Sequence, residues 1–359
     1  MRRLLNDFVD RYFHDEESII LLILLSIGLL VLVLLGGVLA PLIAAIIIGY
    51  LMQGLVEVLL RFGSSKRLAF VTVYTLFVSL FLLLLLFLLP RLWNQLRRLA
   101  NDLPDLLAQW QNSLMLLPEN YPSLFSEQQV RQFIDGLGGE LGSYGQVVLE
   151  YSLASLPSVF SWFIFLVLVP ILVFFVMKDK DELVHWAGNF LPRNRPLMIR
   201  IWKEMDQQIS NYVRGKVVEI MIVGSASYLL FTILGLNYAL LLSVLTGLSV
   251  IVPYIGATAV TLPIAGVAYV QWGIGSEFYT TVGAYMVLQV IDGNVLVPVI
   301  FSEAVNLHPV AIIAAVLIFG GIWGLAGVFF AIPLATFIKA IINAWPGRVN
   351  SDEISDPGA

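Results

Sequence analysis

The sequence predicts an all-α polytopic membrane protein, with about six full spans plus two re-entrant (or broken) helical hairpins in the C-terminal third and amphipathic helical insertions. Three observations carry this. Of 359 residues, 59% are hydrophobic and 13% charged, more apolar surface than soluble cores, near half apolar, can hide. Several uncharged runs exceed the about 20 helical residues that cross a hydrocarbon layer about 30 Å thick. Positions 217–338 hold no Lys or Arg, yet Pro and Gly interrupt them.

The same composition excludes other classes. A formal charge of −5 offers no basic excess for neutralising phosphates, so no nucleic-acid partner is expected. With no cysteine, disulfides and thiolate sites are absent. The three histidines, His14, His185 and His308, show no metal-ligand spacing. No GxxxxGK[ST] run occurs, and no Ser/His, paired-Asp or His/Glu constellation stands out. Neither a cofactor, a metal nor an enzymatic activity is expected.

In chain order, residues 1–67 comprise an N-terminal cytoplasmic segment and two spans, the uncharged run Ser18–Val56 reading as two helices that turn at Gly36-Gly37. This run starts too late and is too long for a cleaved signal, so it reads as an anchor. Residues 68–177 supply the third span (Leu68–Pro90), an external amphipathic hairpin over 91–150 and the fourth span (Tyr151–Met177). Leu92, Trp93, Leu96, Leu99 and Leu103 recur there at helical spacing. Residues 178–215 repeat that pattern inside, with Met198, Ile201, Met205, Ile209 and Tyr212. Each amphipathic stretch fits either the membrane surface or a neighbouring subunit. A transport core over 216–345 and a flexible cytoplasmic tail over 346–359 complete the chain. This arrangement leaves only Arg91, Arg97, Arg98 and Arg131 of the 20 Lys and Arg outside. Both termini are therefore expected in the cytoplasm, with the protein multi-pass.

The C-terminal third breaks its own helices at Pro253-Tyr254-Ile255-Gly256 and again from Gly320 through Gly324 to Gly327. Shifting the chain by 71 residues lays Gly256 on Gly327, and Pro263 meets Pro333 with one gap. Two related hairpins around one intervening span would explain this, as in transporters whose sites form where broken helices meet. Glycine packing between ordinary spans is the other reading, since Gly320 and Gly324 form a GxxxG pair. Between the hairpins lie Gln289, Asp292, Gly293, Asn294 and Pro298. On a helix starting at Phe278, Asp292 falls 14 residues along, about 21 Å into the layer. A lone carboxylate there is costly unless it holds a proton or a cation, which makes Asp292 the candidate coupling group, with Gln289 and Asn294 beside it. Asp292 or Asn294 could instead cap a helix restarting after Gly293. Glu303 and His308 read as interfacial anchors or as a relay to Asp292, and Glu219 as an interfacial partner of Lys216.

Five motifs carry a resemblance: Leu39-Ala40-Pro41-Leu42 running to Gly49-Tyr50-Leu51; Phe174-Phe175-Val176-Met177-Lys178-Asp179; Pro253-Tyr254-Ile255-Gly256; Asp292-Gly293-Asn294 with Pro298; and Gly327 to Ala331-Ile332-Pro333-Leu334-Ala335. In these the chain resembles the autoinducer-2 exporter family of bacterial permeases along nearly its whole length. The resemblance implies an inner-membrane homo-oligomer, a pentamer, that transports a small molecule or ion. The function expected is secondary transport of a small polar solute or ion, of the autoinducer-2 export type and coupled to protons or sodium. The rival is a non-transporting oligomeric membrane scaffold.

Overall fold

Where no water reaches the backbone, its N–H and C=O groups must bond within the chain, and a helix does this segment by segment. The computed structural model describes residues 16–115, 156–192, 195–253, 255–301 and 307–344, with positions 118, 126 and 128, and every regular element among them is helical. In order these are α1 (Glu16–Arg61), α2 (Lys66–Leu83), a π turn (Leu84–Leu88), α3 (Leu89–Met115), α4 (Leu156–Lys178), α5 (Lys180–Gly188) and α6 (Pro196–Ile233). There follow α7 (Ala239–Ser249), α8 (Ile255–Trp272), α9 (Ser276–Ile291), a second π turn (Asp292–Leu296), α10 (Val297–Phe301), α11 (Pro309–Trp323) and α12 (Leu325–Ala344). Five stretches are long and apolar enough to cross a membrane: Val33–Arg61, Lys66–Pro104, Pro196–Ile233, Ile255–Trp272 and Ser276–Phe301.

The chain forms two interleaved units. One holds Met1–Leu76, Leu168–Val218 and Val297–Ala359, the other Phe77–Val167 and Glu219–Leu296. Each contains one of the two helical hairpins of the C-terminal third.

In the first unit, α1 passes through Gly36-Gly37 without a loop, so the expected two-helix turn is corrected to a bend within one helix. Glu17 accepts a hydrogen bond from the Met198 N–H at 2.7 Å, and the Tyr50 hydroxyl donates to Asp206 at 2.9 Å. Positions 17 and 50 would lie about 50 Å apart on a straight helix, whereas their partners are separated by only about 12 Å along α6. The helix therefore bends strongly. Pro41 has no N–H to return to the Gly37 carbonyl, which loosens the helix at the glycine pair.

The amphipathic residues of 178–215 are not a separate surface element. Their stripe opens α6, which continues unbroken into the apolar segment. Met198, Ile201 and Met205 pack on Leu21 of α1 and Ala340 of α12, and Tyr212 packs with Val213 and Ile332. The apolar face formed by these residues is therefore covered by the chain itself.

The third span likewise does not stop at Pro90. It runs on through the first π turn to Met115, while most of the expected 91–150 hairpin beyond that point lies outside the described residues. Pro90 cannot bond the Leu86 carbonyl, and at this place the register widens, Leu89 N–H reaching back to Leu84. Pro298 stands in the same relation to Asn294 in the second π turn. Each π turn thus precedes a proline by two residues, and in neither case does the helix break.

The hairpins themselves are built on glycines. In the second unit, Gly256 sits so close to α7 that a Cβ on it would lie 1.8 Å from the Ser249 carbonyl oxygen. In the first unit, a Cβ on Gly327 would lie 1.8 Å from the Phe319 carbonyl oxygen. The internal likeness seen in the sequence is thus also a likeness of contact: each second arm starts by pressing a glycine against the backbone of the first. A single residue, Gly324 at φ +60° and ψ −136°, reverses the chain between α11 and α12, a conformation open to glycine alone. Gly320 packs against Val328 within the same hairpin, so the GxxxG pair serves this turn.

Alanine at Gly256 or Gly327 is expected to lower the detergent-solubilised melting temperature sharply. Alanine at Gly283 or Gly321, which have no neighbour within 4 Å of a built Cβ, should leave it unchanged or raise it slightly, by up to about 1 kcal/mol of helix propensity.

Candidate functional site

The site grows from one face of α9 and the turn that continues it. Thr281, Tyr285, Gln289 and Asp292 stand at intervals of four, four and three residues, the spacing that stacks side chains along one side of a helix. Thr281, Tyr285 and Asp292 are buried, at 1%, 0% and 9% exposure. They form a polar lane about 16 Å long on an otherwise apolar helix. The Tyr285 hydroxyl donates to the Ala257 carbonyl at 3.2 Å and accepts from the Gln289 amide at 2.9 Å. Ala257 directly follows Gly256, so Tyr285 ties the apex of the first hairpin to the lane.

Asp292 itself lies inside the helix, at φ −57° and ψ −58°. The chain is helical from Ser276 to Phe301, which places Asp292 about 24 Å from one end and about 14 Å from the other. No helix restarts after Gly293, and the capping reading of Asp292 and Asn294 is thereby corrected. Asn294 is exposed, its amide donating to the Val290 carbonyl of the preceding turn at 2.9 Å. Gly293 and Pro298 are exposed too, whereas Pro253 is half-buried and Gly256 buried.

In the other unit, Gly327 and Pro333 are buried, Gly320 is half-buried and Gly324 is exposed in its turn. His308 caps α11, its Nδ1 accepting from the Val310 N–H at 3.3 Å. Tyr254 and Glu303 lie outside the described residues. Lys216 and Glu219 are both buried, and Lys216 lies 5.3 Å from the Phe301 ring centroid. Among the described residues no group of three or more His, Asp and Glu could hold a metal ion.

Sequence reading singled out Gln289, Asp292 and Gly256; the fold sets the first two on one face of α9 and Gly256 next to the residue that accepts from Tyr285. That reading missed Tyr285 and Thr281. The signal was present in their spacing from Asp292 along one helix face. Ser227 of α6 was also passed over; its hydroxyl and that of Thr281 are buried without a hydrogen-bond partner, which is costly for a polar atom in an apolar interior.

Side-chain ties hold the base of this hairpin. The Gln271 amide donates to the Gly235 carbonyl and accepts from the Asn237 N–H, both at 2.8 Å, so the two feet stand side by side. Gln95 of α3 accepts from the Leu241 N–H at 2.8 Å, and the Tyr238 hydroxyl donates to Asp102. Tyr238 adopts the left-handed conformation at φ +57°, a costly place for an aromatic residue. Desolvation first, then the hydrogen bond and charge of Asp102, push its phenol up to about 12.

This arrangement of several apolar helices, helical hairpins with tight glycine apices and a buried acid defines a multi-pass α-helical membrane protein of transporter type. Residues 19–347 match the family described as AI-2E family transporter, and the chain belongs to that family. It is 46% identical to the protein of Escherichia coli (strain K12) named as a permease, PerM, over 346 residues, covering 96% of this chain and 98% of that one. It is 26% identical to YueF of Bacillus subtilis (strain 168), named as a transport protein, covering 84% and 82% of the two chains. It is also 23% identical to TqsA of Escherichia coli (strain K12), named as an AI-2 transport protein, covering 90% and 92%.

The Tyr238 shift carries a pH dependence. A phenol whose pKa is higher in the folded chain than its ordinary 10 binds its proton more tightly when folded. Its contribution is therefore complete below pH 10 and lost as pH rises through 12. Ultraviolet difference titration should show a late-ionising tyrosine that moves down toward 10 in Asp102→Asn.

Proposed function

We propose that the chain is a secondary transporter of a small polar solute or ion in the bacterial inner membrane, with Asp292 as the group that couples movement to protons or sodium. The observation that carries the reading is the lane: a buried carboxylate well inside a long apolar helix, on the same face as Gln289 and Tyr285, of which Tyr285 reaches a hairpin apex. A carboxylate at such depth is expensive to bury, and acids placed there serve ion or proton pathways in membrane proteins. Carbonyls near a broken or widened helix add oxygen ligands for a cation or donors' partners for a solute. Pro298, with no N–H for the Asn294 carbonyl, brings such an oxygen within two residues of Asp292.

In this reading the α7–α8 and α11–α12 hairpins are re-entrant. The eleven residues of α7 extend only about 16 Å, and the fifteen of α11 about 22 Å, both short of a layer of about 30 Å. The name of TqsA supports autoinducer-2, or a comparably small polar solute, as cargo. Cytoplasmic termini follow from the Lys/Arg distribution, and a homo-oligomer, specifically a pentamer, from the family resemblance. No catalytic role is assigned.

Flux measured on purified protein in proteoliposomes, with autoinducer-2, sodium and proton gradients compared side by side, tests this. Asp292→Asn should lower transport by roughly tenfold or more, the effect of losing one hydrogen bond to a charged group, and abolish its dependence on the coupling gradient. Full transport with an unchanged pH dependence in that variant would remove Asp292 from the mechanism. Absence of flux from correctly assembled wild-type protein would favour the scaffold.

A further inference from the structure

The stretch just after α4 is an unusual surface. On α5 and the residues that follow, Leu183, Trp186 and Phe190 fall at intervals of three and four, on one helix face, with Glu182 at its edge, four residues before Trp186, and Asp181 directed elsewhere. Trp186 is 62% exposed and Phe190 68%, their rings meeting edge to face at 4.9 Å. The opening turns of α6 add Ile199 and Trp202, the latter 70% exposed. No other part of the described chain covers these rings. Their opposite side is occupied, since Met198, Ile201 and Met205 of the same turns are packed in the first unit's core.

Position and charge say what does cover them. The apolar helix α4 ends at Lys178, and α5 begins one residue after Asp179. Lys180 lies 3.7 Å from Glu57, four residues before α1, another membrane-length helix, ends at Arg61. These two contacts set α5 at the level where spans leave the hydrocarbon. The far end is pinned as well: the Arg195 guanidinium donates to the Gly188 carbonyl at 2.7 Å, closing the C-terminus of α5 with a cation as the helix dipole favours. Between 178 and 203 the sequence holds six Lys and Arg against three Asp and Glu, a net +3 in a chain whose total is −5. Aromatic rings beside cations at a span end match the boundary between acyl chains and headgroups.

We infer that α5 and the first turns of α6 form an interfacial anchor whose aromatic residues enter the inner leaflet and whose cations bind anionic lipid headgroups. Trp186, Phe190 and Trp202 supply apolar insertion. Arg200 and Lys203, exposed on the same turns as Trp202, meet the phosphates. Anionic lipid would thereby fix the opening of α6, the helix that runs on into the unit containing the polar lane. The anchor does not depend on the transport reading.

The test uses the full-length protein in phosphatidylcholine vesicles carrying, at equal mole fraction, either brominated phosphatidylglycerol or brominated phosphatidylcholine. Tryptophan quenching should be stronger with the anionic brominated lipid. The double variant Trp186→Phe/Trp202→Phe should lose the share belonging to two of the eight tryptophans. Arg200→Gln/Lys203→Gln should keep the quenching by neutral lipid and lose the anionic preference, by up to roughly fivefold per cation. Quenching of Trp186 and Trp202 by aqueous iodide instead of by brominated lipid would overturn the inference. So would indifference to both quenchers together with a smaller assembly mass in Phe190→Ala, which would make the face a subunit contact.

Discussion

A backbone without water dictates most of this molecule. Peptide groups inside the layer need partners within the chain, and the helices continue even where proline removes a donor. At Pro90 and Pro298 the helix widens into a π turn and continues; at Pro41 it bends. Gly256 and Gly327 let the two arms of each hairpin touch backbone to backbone, which keeps the turns compact and leaves little peptide surface open. The polar lane is the exception to this economy. Thr281 holds a hydroxyl in the interior with no bond made, and Asp292 is buried on the same face of α9. Such groups persist in apolar surroundings when recognition needs them.

Much of this was legible in the residues. Composition and run length give the class, because the transfer cost of charge makes long uncharged segments diagnostic. The two hairpins were visible as Gly/Pro interruptions, and Asp292 as a lone acid in a long apolar stretch. What sequence could not give was continuity. Gly36-Gly37, Pro90 and Gly293-Pro298 all look like helix ends, since glycine and proline weaken helices in water. In an apolar environment the cost of opening the ladder exceeds that propensity, so each became a bend or a π turn. Pairing was hidden for a different reason. That Tyr285 meets Ala257, or that Met198 meets Leu21, depends on contacts between distant segments that no local period encodes.

The lane and the hairpin base also differ in character. At the base, Gln271, Gln95 and Asp102 saturate the backbone and the Tyr238 hydroxyl, so the feet are fixed. At the apex the Tyr285 hydroxyl donates to the Ala257 carbonyl, and short turn bonds run around Pro253.

The most direct test is where that tip lies. The chain contains no cysteine, so single cysteines can be placed at Asn237 and Ile274, by the feet, and at Ile255, at the apex, and probed with a bulky membrane-impermeant maleimide from each face of sealed vesicles. The account predicts that both feet react from the same face and that the apex is protected from both. Rapid reaction of the Ile255→Cys apex from the face opposite the feet would show a hairpin that crosses the membrane, and would contradict it.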